Sequence, residues 1–261
     1  MQDHLIIPMT VNTTKGLSIN HATKPLVKLA LTVRWLIHGT GMLSSNLAEA
    51  AAFMRSHDDP TMIHKVSDLT SAPQEPDVEF VSLPASYGKV DKAPPPDPNS
   101  HQWTIFQIPL RPSSVGTITL ASRNPFTPPV IHANYFSTSS DRHLSIWAFR
   151  RSCAIAQGSG AFVGWAIPSR ADELSDEEVL EYLRRRANTC FHPTGTAKIG
   201  AEEEGGVVDC GGLRVHGVRG LRVCDVSVMP RILSGHPCAP IIAIAEKFAD
   251  MLKVEYAQVK L

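Results

Sequence analysis

Between residues 103 and 136 the chain abandons helical spacing. WTIFQIPL (103–110), GTITLAS (116–122) and VIHANYF (130–136) are rich in β-branched and aromatic residues, with the break NPFTPP before the last of them. That is the composition of short strands, and their order predicts an antiparallel meander. The segments on either side return to helical spacing, so strands must pack against helices and the class expected is α+β.

The helices carry local signals. PLVKLALTVRWLIH (25–38) is apolar at helical spacing and ends before the GTGML turn. SSNLAEAAAFMRS, with its serine cap and alanine run, predicts a second helix over about 45–56. Asp141 is placed to cap a helix through RHLSIWAFRRSCAIA that stops at Gly158. SDEEVLEYLRRRA opens with Ser175 and Glu178 at capping-box spacing. A last helix is expected over about 239–253, with Pro240 in its first turn. LPASYGKVDKAPPPDPNS (83–100) reads as a proline-rich surface loop, and residues 205–224 as short strands with glycine turns. The opening MQDHLIIPMT shows neither a helix start nor a strand start.

Charge excludes more than it identifies. Lys+Arg and Asp+Glu both number 25, so no net field draws nucleic acid or an anionic membrane, and a small molecule is the better partner. The five cysteines (Cys153, Cys190, Cys210, Cys224 and Cys238) are scattered with no C-x-x-C, which favours neither a disulfide framework nor a metal site. The start lacks the basic region and apolar core of a signal peptide, and no apolar run is long enough to span a bilayer. A cytoplasmic location with reduced thiols is the expectation.

Two of the eleven histidines stand in unusual settings. His192 lies in FHPTGTAKIG and His236 in ILSGHPCAP, each in a Pro/Gly turn from which a side chain can project into a cleft. His236 also precedes the last helix, whose unpaired N–H groups amount to about half a positive charge. That end disfavours an imidazolium and would steady negative charge on a ligand, a pairing suited to taking a proton from an alcohol or carbon acid. A histidine that merely starts the helix explains the same residues, and the pattern leaves both readings open. GSGAFVG (158–164) spaces its third glycine one place late for a dinucleotide loop and follows a helix rather than a strand. No Walker motif or G-x-S-x-G is present, and a metal held by His236 and Cys238 would lack further ligands at recognisable spacing. Trp103, Phe106 and Trp147 read either as pocket lining or as core.

Taken in order, several stretches resemble the C-terminal portion of the glucose–methanol–choline (GMC) oxidoreductases, FAD-dependent alcohol oxidases and dehydrogenases. They are QDHL (2–5), GTGMLSSNLAEAAAFMRS, LRPSSVGTITLASRNPFTPPVIHANYFS, HPTGTAKIG, GVVD, LRVHGVRGLRVCDVSVMP and SGHPCAPIIAIAEKFADMLK. The resemblance covers nearly the whole chain and implies a division: residues 1–190 as the substrate-binding region, an antiparallel sheet backed by helices, and residues 191–261 as a segment whose strand and helix return to the FAD domain. It implies that His192 and His236 meet over the reactive face of FAD. One takes the hydroxyl proton as hydride leaves for flavin N5; the other hydrogen-bonds the substrate oxygen. It places Asp225 and Val226 where the backbone meets FAD, and Pro237 and Cys238 at the turn approaching the flavin pyrimidine.

The family's strand–GxGxxG–helix is absent from this sequence, so FAD affinity is not implied with the same force, and apolar surface should be left around the last helix. Three functions follow as expectations. The first is an oxidoreductase half acting on a small alcohol or secondary metabolite, with a second copy or a separate FAD-domain partner. The second is a flavin-free enzyme using the two histidines for isomerisation, dehydration or cyclisation. The third is a non-catalytic remnant or interaction module.

Overall fold

The computed structural model describes residues 1–87 and 97–258. Eight strands and four helices follow in chain order: β1 (Leu5–Thr13), α1 (Pro25–His38), β2 (Ala50–Met54), β3 (Val78–Leu83), β4 (Gln102–Pro109), β5 (Thr117–Thr119), β6 (Val130–His132), α2 (Ser139–Gly158), β7 (Phe162–Ile167), α3 (Asp176–Arg186), β8 (Asn188–Thr189) and α4 (Cys238–Gln258). The main sheet runs β2-β3-β4-β1-β7, with β8 also paired to β1, and its pairings are antiparallel. This is the expected α+β class.

The segment that opened without a recognisable element is a central strand. Leu5, Ile7, Met9 and Val11 alternate along β1 and are all buried. They join Val78, Phe80 and Ile105 against Leu144, Ala148 and Phe149 of α2 and Val179 and Leu183 of α3. Pro8 falls between the two partners of the β1 edge, Ile6 opposite Asn188 and Thr10 opposite Ile167, the kind of gap where a residue without an N–H is tolerated. The opposite face of the sheet carries Glu79, flanked in sequence by inward-facing Val78 and Phe80 and paired across to Ile108.

Several local expectations change. The helix expected over 45–56 is the edge strand β2, paired to β3 from Ala50↔Ser82 to Met54↔Val78. Leu47, with φ of 67°, breaks the run before the alanines, and ladder pairing overrides alanine's helix preference. The meander is not formed: β4 lies between β1 and β3, while β5 and β6 make a separate two-stranded sheet. Thr138, not Asp141, caps α2 by accepting the Asp141 N–H, and the Asp141 carboxylate instead takes the N–H groups of Ser113 and Ser114. Residues 205–224 make isolated bridges, Val208↔Val215 and Arg214↔Arg222, rather than strands. Of the loop expected over 83–100, residues 88–96 lie outside the described residues.

Other expectations hold. α1 matches 25–38, α3 has its full capping box, and α4 starts where Pro240 falls in the first turn. GSGAFVG is the turn from α2 into β7. Phe106 and Trp147 are buried and Trp103 packs on the core, while Trp147 and Trp103 each also border a surface cleft. α4 packs Ile244 and Phe248 on a small core of Val208, Leu213 and Val228, and leaves Ile242, Val254 and Tyr256 exposed. Among the described residues no helix is long and apolar enough to cross a membrane.

Candidate active site

The chain beside β8 is stitched to the start of β1. Cys190 donates its N–H to the His4 carbonyl at 2.8 Å, and Gln2 and Thr194 exchange backbone bonds of 3.0 and 2.8 Å. Asp3, also buried, holds the turn between them: its Oδ1 accepts the His192 N–H at 3.0 Å, and its Oδ2 accepts the hydroxyls of Tyr135 and Thr189. Phe191 takes a left-handed φ of 60° within this turn. His236 arrives from the other end, two residues before α4. The imidazoles of His192 and His236, 44 positions apart in sequence, meet edge-to-face with centroids 4.8 Å apart.

Hydrogen-bond accounting assigns the tautomers. His4 is fully buried, and its Nε2 lies 2.8 Å from the Leu110 carbonyl and 3.0 Å from that of Leu233. Two carbonyls can only accept, so His4 carries its proton on Nε2. Burial pushes its pKa down to about 4, so at neutral pH its Nδ1 is a bare acceptor. That nitrogen stands 3.0 Å from His192 Nδ1, which must therefore donate. Burial, and then the neighbouring His236, also lower the His192 pKa. Neutral His192 thus presents an unprotonated Nε2.

His236 is held by a buried carboxylate: its Nε2–H donates to Glu79 Oε2 at 3.0 Å. The helix terminus is therefore not the only charge beside it, and Glu79 is of the opposite sign. In its neutral form His236 has a bare Nδ1; in its protonated form it donates from both nitrogens, with Glu79 as counter-ion. Cys190 brings its sulfur to the same place, and burial pushes that thiol up to about 11.

The other expected residues are near in sequence but differently employed. Pro237 is buried and Cys238 exposed at the start of α4, directly after His236. Asp225 is exposed, and its carboxylate accepts the Ser227 N–H at 2.8 Å, capping the single turn Val226–Val228. That turn is tied to the His192 loop farther along, through Ala197 N–H to Ser227 O and Ile199 N–H to Val228 O. Neither Asp225 nor Val226 bonds to an imidazole. Sequence reasoning gave no role to His4, Asp3, Glu79 or Cys190. Two signals were available: Asp3 and His4 lie in the family-resembling stretch QDHL, and Glu79 is an acidic residue inside the largely apolar strand VEFVSL.

Known proteins match this chain in sequence and fold. A family model described as GMC oxidoreductase matches residues 112–245. Dehydrogenase str4 of Strobilurus tenacellus is 35% identical over 280 residues, covering 97% of this chain and 45% of that protein. The mitochondrial choline dehydrogenase of Homo sapiens is 34% identical over 259 residues, with 97% and 40% covered. A structure of Aspergillus oryzae formate oxidase, from work on its FAD modification, superposes with a TM-score of 0.86 at 26% identity, covering 98% of this chain and 47% of that one. The chain spans less than half the length of the curated relatives it matches.

Proposed function

This chain belongs to the GMC oxidoreductase family, and from that premise we propose that His192 and His236 form its proton-handling site for oxidation of the CH–OH group of a small alcohol. The observation that carries the reading is the pairing of opposite preparations 4.8 Å apart: a histidine whose Nε2 is left bare by His4, beside one anchored to a buried carboxylate.

His192 Nε2 accepts the hydroxyl proton. Its lowered pKa keeps it neutral and ready to accept at neutral pH. His236, anchored to Glu79 through Nε2, turns Nδ1 to the substrate oxygen; with a proton there and Glu79 as counter-ion it donates to that oxygen and steadies the alkoxide as it forms. Asp3 and His4 fix the direction of the His192 ring, so little reorganisation is needed at the moment of transfer.

The residues offered to FAD fit an electron-rich ring edge. The N–H groups of Cys238 and Ala239, in the first turn of α4, have no intrahelical acceptor, and Pro240 has no N–H to offer. By the family resemblance Asp225, Val226, Pro237 and Cys238 would hold FAD, which when bound would supply the hydride acceptor. The test is to incubate the purified chain with FAD, remove free flavin by gel filtration, and add candidate alcohols without oxygen. Retained flavin that is bleached by an alcohol, and not bleached in His192→Ala, supports the reading. Flavin bleached equally in wild type, His192→Ala and His236→Ala overturns the histidine roles. A flavin-free chain that still converts an alcohol without redox change favours isomerisation, dehydration or cyclisation instead.

A further inference from the structure

Cys190 has no part in the alcohol chemistry, yet its sulfur and one ring nitrogen each from His192 and His236 all lie within 4.8 Å of one another. The hydrogen bonds that surround this trio leave one nitrogen of each ring free. His192 uses Nδ1 on His4, leaving Nε2; neutral His236 uses Nε2 on Glu79, leaving Nδ1. Both ligand nitrogens are therefore lone pairs, and both remote nitrogens are already held by buried side chains, one of them a carboxylate. That is the outer arrangement in which metal-binding histidines are normally found. The Cys190 backbone is fixed as well, through its N–H to the His4 carbonyl at 2.8 Å.

We propose that Cys190, His192 and His236 form a site for Zn²⁺ or a similarly soft divalent cation, with a fourth position open to water or an anion. One sulfur and two imidazole nitrogens are a donor set for zinc rather than for magnesium or calcium. Zinc–sulfur and zinc–nitrogen bonds of about 2.3 and 2.0 Å separate tetrahedral ligands by about 3.5 Å, so the trio closes by about an ångström on binding. The Cys190 thiol proton leaves to solvent as the S–Zn bond forms, and both imidazoles bind neutral. A bound cation occupies the lone pair that takes the substrate proton, so it switches the proposed alcohol chemistry off. Only this consequence rests on the proposed function; the binding does not.

The test needs no flavin. Co²⁺ titrated into the full chain should give a sulfur-to-cobalt charge-transfer band and strong visible ligand-field bands, saturating at one ion per chain and abolished by Zn²⁺. Cys190→Ser should lose the charge-transfer band, with circular dichroism confirming the fold. His236→Gln, at a half-exposed position, gives a second variant that should weaken binding. Glu79→Gln should loosen Zn²⁺ by about 10–100-fold through the outer contact alone. No charge-transfer band, or the same band in Cys190→Ser, overturns the site, because another cysteine or none would then hold the ion. Equal Zn²⁺ affinity in wild type and His236→Gln overturns it too. Zinc binding that fails to inhibit a demonstrated alcohol oxidation would leave the site standing and count against the histidine roles.

Discussion

His4 and His192 face each other nitrogen to nitrogen, Nδ1 to Nδ1 at 3.0 Å, and only one proton can lie between them. The two carbonyls behind His4 decide whose proton it is. A residue that touches no substrate therefore sets which nitrogen of its neighbour faces the cleft.

In the intact chain, ¹⁵N spectra of His192 should show Nδ1 protonated and Nε2 bare at neutral pH. His4→Ala should release that preference into a mixture of tautomers. It should also destabilise the fold by about 1–3 kcal/mol, because buried carbonyls lose their donor. A His192 that carries its proton on Nε2 in the wild type would end the assignment.

Replacing the proton acceptor should show in the rate of flavin reduction rather than in folding. His192→Ala is expected to slow alcohol-dependent flavin bleaching by about 10²–10⁴-fold, the usual contribution of a positioned acid or base. Glu79→Gln should slow it less, since the ring of His236 stays in place while its counter-ion is lost. Stopped-flow absorbance separates the two, and equal rates in all three proteins would remove these residues from the chemistry.

How much of this was legible from residues alone depends on how local each cause is. α3 was readable because Ser175 and Glu178 are three positions apart and satisfy each other's backbone. The Pro/Gly turns singled out His192 and His236, but that the two rings meet followed only from the family resemblance, because 44 positions separate them. β1 was hidden: Pro8 argues against a central strand, and what makes Leu5–Thr13 one is pairing with residues 102–107, far along the chain. The supporting side chains were hidden for the same reason. His4 is 188 positions from His192 and Glu79 is 157 from His236, so no spacing rule links them. The alanines of β2 misled because helix preference is a weak local bias, easily outweighed by a neighbouring strand.

Asp141 shows what such long contacts are worth. Its buried carboxylate accepts from the Ser113 and Ser114 N–H groups at 2.8 Å each, pinning the chain after β4 to the start of α2. Asp141→Ala leaves both donors unpaired and should cost about 3 kcal/mol, whereas Thr138→Ala, which removes the helix cap and one hydroxyl contact to Ser113, should cost about 1 kcal/mol. Urea unfolding of the two variants reads the difference. Equal losses would mean that the helix cap, not the crossing contact, holds this corner.

Acid should act through Asp59. Its carboxylate accepts the Thr61 hydroxyl at 2.7 Å and backbone N–H at 3.1 Å, the Trp147 indole at 3.0 Å and Arg151 at 3.0 Å. The Thr61 hydroxyl first, then the indole, lower its pKa from 3.8 to about 2. A carboxylate lowered in the fold favours folding fully above its unfolded value, and that contribution fades as pH falls through the folded one. Asp59→Asn should therefore melt below wild type at neutral pH, with the gap narrowing from about pH 4 and nearly closed at about pH 2. Melting curves followed by circular dichroism across that range supply the check. A gap that stays constant into acid would show that Asp59 works by shape and hydrogen-bond geometry, with its charge contributing nothing to the contact between residues 59–61 and α2.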